Sequence, residues 1–309
     1  MGKCSLRGCE LSFIKLNQSD WERTSSESGF WMEGLPSDFP ALLCENSART
    51  HYNFFMLKTT NHGSIRELQL NRPPVNALSP ELVTALRQAI EAAPREGARA
   101  IVISGTENRF SGGLDVPLLL ELDRDAVANL WHEFYVLLAT LARSPIPIAA
   151  AITGHAPAGG TVLAIFCDWR VMAKGSFKLG LSEVQVGIPL PPVILAGLRR
   201  LVGPRQAERL AVGALLISPE EATYIGLVDE LTDPDQVVPR AIARCQGLLN
   251  LPGEAMSLTR QQARADLVAL FADHHLNREL DKVVASWFSP STQETLQALV
   301  QKLGRKSAV

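Results

Sequence analysis

The chain has 309 residues, 46% of them apolar and 20% charged, with a formal net charge of −2. That length provides ample core for one large domain or two small ones, and the composition is ordinarily globular. The near-neutral balance argues against a nucleic-acid surface or an electrostatic membrane anchor. No run approaches the roughly 18–20 apolar residues that a membrane helix needs.

Residues 1–52 are rich in Ser, Asn, Glu and Trp, are broken by Pro36 and Pro40, and hold no sustained period. They are expected to form a poorly ordered extension, and Met56 would serve as a natural start. Leu6 stands where an N-myristoylation motif wants Ser or Thr. Glu10, Asp20, Glu22 and Glu27, with no apolar stretch beside them, argue against a secretory or transit signal. The cysteines, at 4, 9, 44, 167 and 245, are odd in number and form no C-x-x-C pair. Free thiols in a reducing, cytoplasmic setting are the simpler reading. No metal site is expected, because the six histidines are scattered and the pair His274-His275 reads as a solvated helix face.

From about residue 53 the pattern becomes regular. Ile65 to Leu70 alternates as a strand and stops at Asn71-Arg72-Pro73-Pro74. Ser79-Pro80-Glu81 predicts a helix entry, with Leu82, Leu86 and Ile90 on one face to about Ala93. A buried strand is expected at Ala98–Ser104, a helix at about 124–142, and a second buried strand at Ile148–Thr153. Gly159 to Cys167 is wholly apolar and predicts a short buried helix. Short strands follow at Val171–Ala173 and Phe177–Leu179. Helices are then expected at about 190–201, 204–212 and 218–224, a strand at 227–231, a helix at 234–248 and more helix after 254. The alternation makes the chain α/β, with a helical layer over its last third.

Three segments carry chemical interest. Phe110-Ser111-Gly112-Gly113-Leu114-Asp115 and Pro157-Ala158-Gly159-Gly160 each follow a strand-like run, and Glu183 sits in Leu179–Ile188 between apolar neighbours. Glycine lets a backbone N–H approach a ligand closely, and two such donors aimed at one point form an oxyanion hole. A carboxylate held in an apolar wall has a raised pKa, which suits a base that must also return its proton. Each segment also has a plain structural reading. These are a tight strand-to-helix turn at Gly159-Gly160, a loop turn at Gly112-Gly113, and a surface glutamate on a short helix capped by Ser182.

Several motifs stand together in a particular order. They are Asn71-Arg72-Pro73-Pro74-Val75-Asn76-Ala77-Leu78, the Phe110–Asp115 segment, Gly154 to Gly160, Cys167-Asp168, Gly180 to Ile188, and Gly226-Leu227-Val228-Asp229. In this order and spacing, from about residue 56 to the C-terminus, the chain resembles the crotonase superfamily, and within it the 3,2-trans-enoyl-CoA isomerases. The resemblance implies a spiral of β-β-α turns over residues 53–250, and a helical oligomerisation region over 251–309. It also implies homotrimers or hexamers and acyl-CoA substrates, with coenzyme A part of the substrate and no separate cofactor.

By position, the resemblance implies that the N–H groups of Leu114 and Gly159 hold the thioester oxygen and that Glu183 is the catalytic acid/base. Ala77, Leu78, Ser111, Gly112, Gly113, Asp115 and Gly160 would line the substrate channel, and Lys302 would offer charge to a CoA phosphate. Hydratases of the superfamily carry a first glutamate where this chain has Val162, so isomerisation by one carboxylate is the expected reaction. The alternatives are another acyl-CoA activity, such as hydration or thioester hydrolysis, and a non-catalytic acyl-CoA-binding scaffold. The aspartate nucleophile and histidine base of the superfamily's dehalogenases are not found, and His155 reads most simply as a turn histidine.

Overall fold

The structure, a computed structural model, describes residues 56–307, with the side chains of 273–278 and 303–307 excepted. The expected extension over residues 1–52 and the side chains of His274 and His275 lie outside the described residues.

An antiparallel hairpin opens the fold. β1 (Leu57–His62) pairs with β2 (Ile65–Leu70) from Leu57↔Leu70 to His62↔Ile65. Helix α1 (Pro80–Arg95) begins as its sequence suggests: Pro80 occupies the first turn and the Ser79 side chain accepts from the Leu82 N–H. Three turns of one pattern follow. In the first, β3 (Ala100–Ser104) leads to β4 (Asn108–Arg109), then to α2 (Val116–Leu119) and α3 (Arg124–Arg143). In the second, β5 (Ile148–Ile152) leads to β6 (Gly154–Pro157) and α4 (Gly159–Phe166). In the third, β7 (Trp169–Ala173) leads to β8 (Leu179–Gly180), a 3₁₀ turn at Glu183–Val186 and α5 (Pro192–Val212).

The first strand of each turn enters a six-stranded sheet that ends on β9 (Glu230–Thr232), in the order β1-β2-β3-β5-β7-β9 and parallel after the hairpin. The second strand enters a small parallel sheet, β4-β6-β8. β3 and β5 are buried along their whole length, which explains their uninterrupted Ala-Ile-Val-Ile-Ser and Ile-Ala-Ala-Ala-Ile runs. This is the expected spiral of β-β-α turns. Before β9 comes α6 (Pro219–Tyr224), and after it α7 (Val237–Leu249), which packs on β3, β5 and β7. The helical layer consists of α8 (Gly253–Ala263), α9 (Ala265–Ala269), α10 (Asp273–Trp287) and α11 (Pro290–Ser307). Among the described residues, no helix is long and apolar enough to cross a membrane.

Two expectations need correction. The strand expected at 227–231 starts later, at Glu230, because Leu227 and Val228 donate their N–H groups to the Ala222 carbonyl and close the end of α6 around Gly226 at φ +83. The strand expected at Phe177–Leu179 is Leu179–Gly180, and Phe177 instead packs edge-on against His155, 5.3 Å between ring centroids. α5 is interrupted at Gly203, φ +74, so the two helices expected at 190–201 and 204–212 are both present on either side of the break.

Candidate functional site

Two loops meet where the small sheet ends. The first is held by Asn76, which is fully buried at φ +52 and donates its side-chain amide to Thr106 Oγ1 and to the carbonyls of Arg109 and Phe110. Ser111 Oγ donates to the Asn76 carbonyl and accepts from the Gly113 N–H. The Gly112 N–H donates to Val75, the Leu78 N–H to Gly113, and the Asp115 N–H back to Leu78. Asp115 caps α2 and pairs with Arg72 at 2.6 Å.

The second loop is the start of α4. Ala158 stands at φ 48, ψ −122, a sparsely populated region for a residue with a Cβ, and supplies no side-chain cap. The two loops touch through their glycines. A Cβ on Gly113, itself at φ +87, would lie 3.1 Å from the Gly159 nitrogen, and a Cβ on Gly159 would lie 3.1 Å from Gly113 Cα. One on Gly160 would strike the Ser111 carbonyl oxygen at 2.5 Å. Close backbone approach therefore requires glycine here. The N–H groups of Leu114 and Gly159 donate to no acceptor among the described residues. The second is a free donor at a helix N-terminus.

Glu183 opens the 3₁₀ turn across from them. Thr161 links the segments: its hydroxyl donates to the Ala156 carbonyl and accepts from the Gly180 N–H at 2.8 Å, three residues before Glu183. On the other side the Gly187 carbonyl accepts from Ser286 (3.2 Å) and Thr292 (3.0 Å), so α10 and the start of α11 hold the turn. Ser182 makes no cap bond.

Glu183, Leu114 and Gly159 line one cavity of about 120 Å³, together with Gly112, Val116, Trp131, Phe134, Ala158, Val162, Ser182, Val186, Ile188, Ile194, Trp287 and Leu299. The residue as a whole is half-buried, but its Oε2 is fully enclosed and has no hydrogen-bond partner. Burial pushes the carboxyl up to about 7, against the weaker opposing pull of its own backbone N–H. Of its sequence neighbours, Val186 and Ile188 contribute to the apolar wall while Val184 is exposed; the rest of the wall comes from distant segments. Val162 lines the cavity, and Glu183 is the one carboxylate among its lining residues.

The other sequence candidates separate into two groups. Gly112 lines the cavity. Leu78, Ser111, Gly113 and Gly160 are buried behind it and shape the two loops, while Ala77 accepts from Arg72 and Asp115 anchors its loop. Lys302 is exposed on α11 and is not among the residues that line the cavity. His155 is exposed, and its Nδ1 accepts from the Lys178 N–H at 3.1 Å, as a turn histidine should. The cavity residues Trp131, Phe134, Ile194, Trp287 and Leu299 are not among the sequence candidates. Their spacing marks them as core, and nothing local links them to Glu183.

The arrangement can take a proton from a carbon beside a carbonyl, stabilise the resulting oxyanion on two N–H groups, and return the proton nearby. Residues 60–305 match the enoyl-CoA hydratase/isomerase family. The chain is 32% identical over 257 residues to the mitochondrial enoyl-CoA delta isomerase 1 of Mus musculus, a match spanning 81% of this chain and 88% of that protein. A probable enoyl-CoA hydratase of Mycobacterium avium is 33% identical over 211 residues, 66% of this chain and 78% of that one. The solved structure of human mitochondrial delta3-delta2-enoyl-CoA isomerase superposes with a TM-score of 0.77 at 27% identity, covering 81% of this chain and 99% of that one.

Proposed function

Because the chain belongs to the enoyl-CoA hydratase/isomerase family, we propose that it moves the double bond of 3-enoyl-CoA thioesters to the 2-trans position, in the oxidation of unsaturated fatty acids. The observation that carries this reading is the lone, unpartnered Glu183 carboxylate in a cavity where Val162 takes the second carboxylate's place. Hydration needs a water held and activated at the double bond, and a valine offers it no hydrogen bond. Isomerisation needs one group that takes a proton from C2 and gives it back at C4. With its carboxyl near neutrality, Glu183 can do both at physiological pH. The N–H groups of Leu114 and Gly159 would bear the charge that develops on the thioester oxygen, a contribution of about 2.7–4 kcal/mol for each donor.

The reading includes assembly as a homotrimer or hexamer, supported by Leu251, Leu258 and Leu270, which stand exposed on the helical layer. It includes a cytoplasmic setting; the mitochondrial address belongs to the mammalian relatives' names.

The test is a side-by-side assay of 3-hexenoyl-CoA isomerisation and 2-hexenoyl-CoA hydration. Isomerisation is expected to dominate. Glu183→Gln is expected to lower kcat by roughly 10²–10⁴-fold while thioester binding persists. Near-normal turnover in that variant, or hydration equal to isomerisation, would overturn the assignment.

A further inference from the structure

The Gly159 N–H and the Glu183 carboxylate stand on different segments. The first opens α4, and the second belongs to the 3₁₀ turn that follows β8. For one to hold a thioester oxygen while the other moves a proton, the two segments need a fixed separation. The β6–β8 ladder that joins them is short: Ala156 pairs with Leu179 and Pro157 with Gly180. Ala156 donates to the Lys178 carbonyl at 2.9 Å and Ala158 to the Gly180 carbonyl at 2.8 Å.

One side chain of α4 adds to this ladder. Thr161, at 1% exposure, stands two residues after Gly159 and one before the cavity-lining Val162. A threonine within a helix ordinarily turns its hydroxyl back on the carbonyl three or four residues earlier, here Ala158 or Pro157. Thr161 Oγ1 instead donates to Ala156, inside β6, and accepts from the Gly180 N–H of β8 at 2.8 Å. The group it holds is closely packed. Gly180 stands at φ +143, and a Cβ there would lie 2.2 Å from the Leu215 carbonyl oxygen. Three residues lead from Gly180 to Glu183, whose turn is also tied through Gln185 Nε2 to the Ala214 carbonyl at 2.7 Å.

We infer that Thr161 is a positioning residue for the reaction proposed above: its hydroxyl joins α4, β6 and β8 and so sets the distance between the Gly159 N–H and the Glu183 carboxylate. Thr161 does not itself line the cavity, so it acts through these two groups. The inference rests on the reading of Gly159 as oxyanion donor and Glu183 as base.

The test compares Thr161→Val, which keeps the shape and removes the hydroxyl, with Thr161→Ser, which keeps the hydroxyl. Each is given 3-hexenoyl-CoA in deuterium oxide, and both double-bond migration and deuterium uptake at C2 are followed. Uptake reports the base on its own: the C2–H bond breaks, Glu183 takes the proton, and a deuteron from solvent returns to C2. Thr161→Val is expected to lower kcat roughly 10–100-fold, the scale of a displacement of about 1 Å between reacting groups, with KM changing less than about threefold. Thr161→Ser should keep kcat within about threefold of the unaltered protein. Thr161→Ala takes the place of the valine variant if that one is insoluble. A valine variant with near-normal kcat would overturn the inference, whatever its thermal midpoint. So would a serine variant as impaired as the valine one, because the packing of the side chain and not its hydroxyl would then be at work. Deuterium uptake that depends on Thr161 as expected, without migration of the double bond, would support the positioning role and remove only the isomerase assignment. Neither migration nor uptake in the unaltered protein would sink both.

Discussion

Glu183 is a destabilising residue that the site retains. Its Oε2 lies in an apolar cavity with no partner, and the carboxyl's affinity for a proton is raised to about 7 from an ordinary 4.5. The folded state therefore holds this proton more tightly than the unfolded chain does. The resulting stabilisation is fully present below about pH 4.5 and is lost as pH rises to about 7. Above that, the fold carries a buried charge costing up to about 3 kcal/mol. As pH rises, the stability of the unaltered protein should fall while its activity rises. The thermal midpoint of Glu183→Gln is expected to gain on the unaltered protein by several degrees between pH 5 and pH 8. Over the same range kcat/KM of the unaltered protein should rise, levelling above about pH 7 as the base form fills. A midpoint difference independent of pH, or activity falling between pH 6 and 8, would show that this carboxylate is not the titrating base.

At the scale of elements, the site depends on how closely two loops approach. Gly113 and Gly159 face each other, and a Cβ on Gly159 would meet Leu78 Cδ1 at 3.0 Å and Gly113 Cα at 3.1 Å. Such a Cβ points into the seam between the loops, not toward the cavity mouth. Gly159→Ala should therefore wedge the start of α4 away from Leu114 and separate the two N–H groups proposed to hold the thioester oxygen. We expect kcat to fall roughly 100-fold, the scale of one lost oxyanion donor, with KM changing much less and a thermal midpoint lower by a few degrees. Unchanged kcat, measured on soluble variant protein, would dissociate the seam from catalysis.

These loops were legible in the sequence because paired glycines after apolar runs, and a glutamate among valines and leucines, are local signals. The long helices and the buried strands β3 and β5 were legible for the same reason: period and composition report burial over five or more residues. β4 and β8, at two residues each, are too short to show alternation, and β6 adds only four. Leu227 and Val228 mislead because an apolar pair that closes a helix end looks like the start of a strand. The wall formed by Trp131 and Trp287 was not legible at all. Amphipathic spacing identifies the buried face of a helix but not what that face meets, and these residues reach Glu183 only through the assembled fold.

For the whole molecule, the question is what seats the helical layer that supplies Trp287 and Leu299. Asp168, at the start of β7, accepts from Arg260 Nε and Nη2 at 2.8 Å each, from Arg264 Nη1 at 3.0 Å and from the Ile148 N–H at 2.8 Å. Arg264 is buried and also donates to the carbonyls of Leu141, Ala142 and Phe166, groups left unpaired at the ends of α3 and α4. One carboxylate thus ties the edges of two core strands to α8 and to the residue joining α8 to α9. Asp168→Asn keeps the shape but leaves two arginines in a confined space without their counter-charge. Breaking one side of a buried pair typically costs about 3–5 kcal/mol, which for a chain of this size lowers the thermal midpoint by roughly 10 °C. Because the layer also holds the Gly187 carbonyl through Ser286 and Thr292, its loosening should reach the active cavity. KM for a short-chain thioester is expected to rise severalfold in Asp168→Asn at 25 °C, where the variant is still folded, even though Asp168 does not line the cavity. Differential scanning calorimetry and steady-state kinetics on the same preparation decide this. A lowered midpoint with unchanged KM would mean that the cavity keeps its shape without a firmly seated layer. An unchanged midpoint would mean that the apolar contacts of α7 and α10 seat the layer unaided.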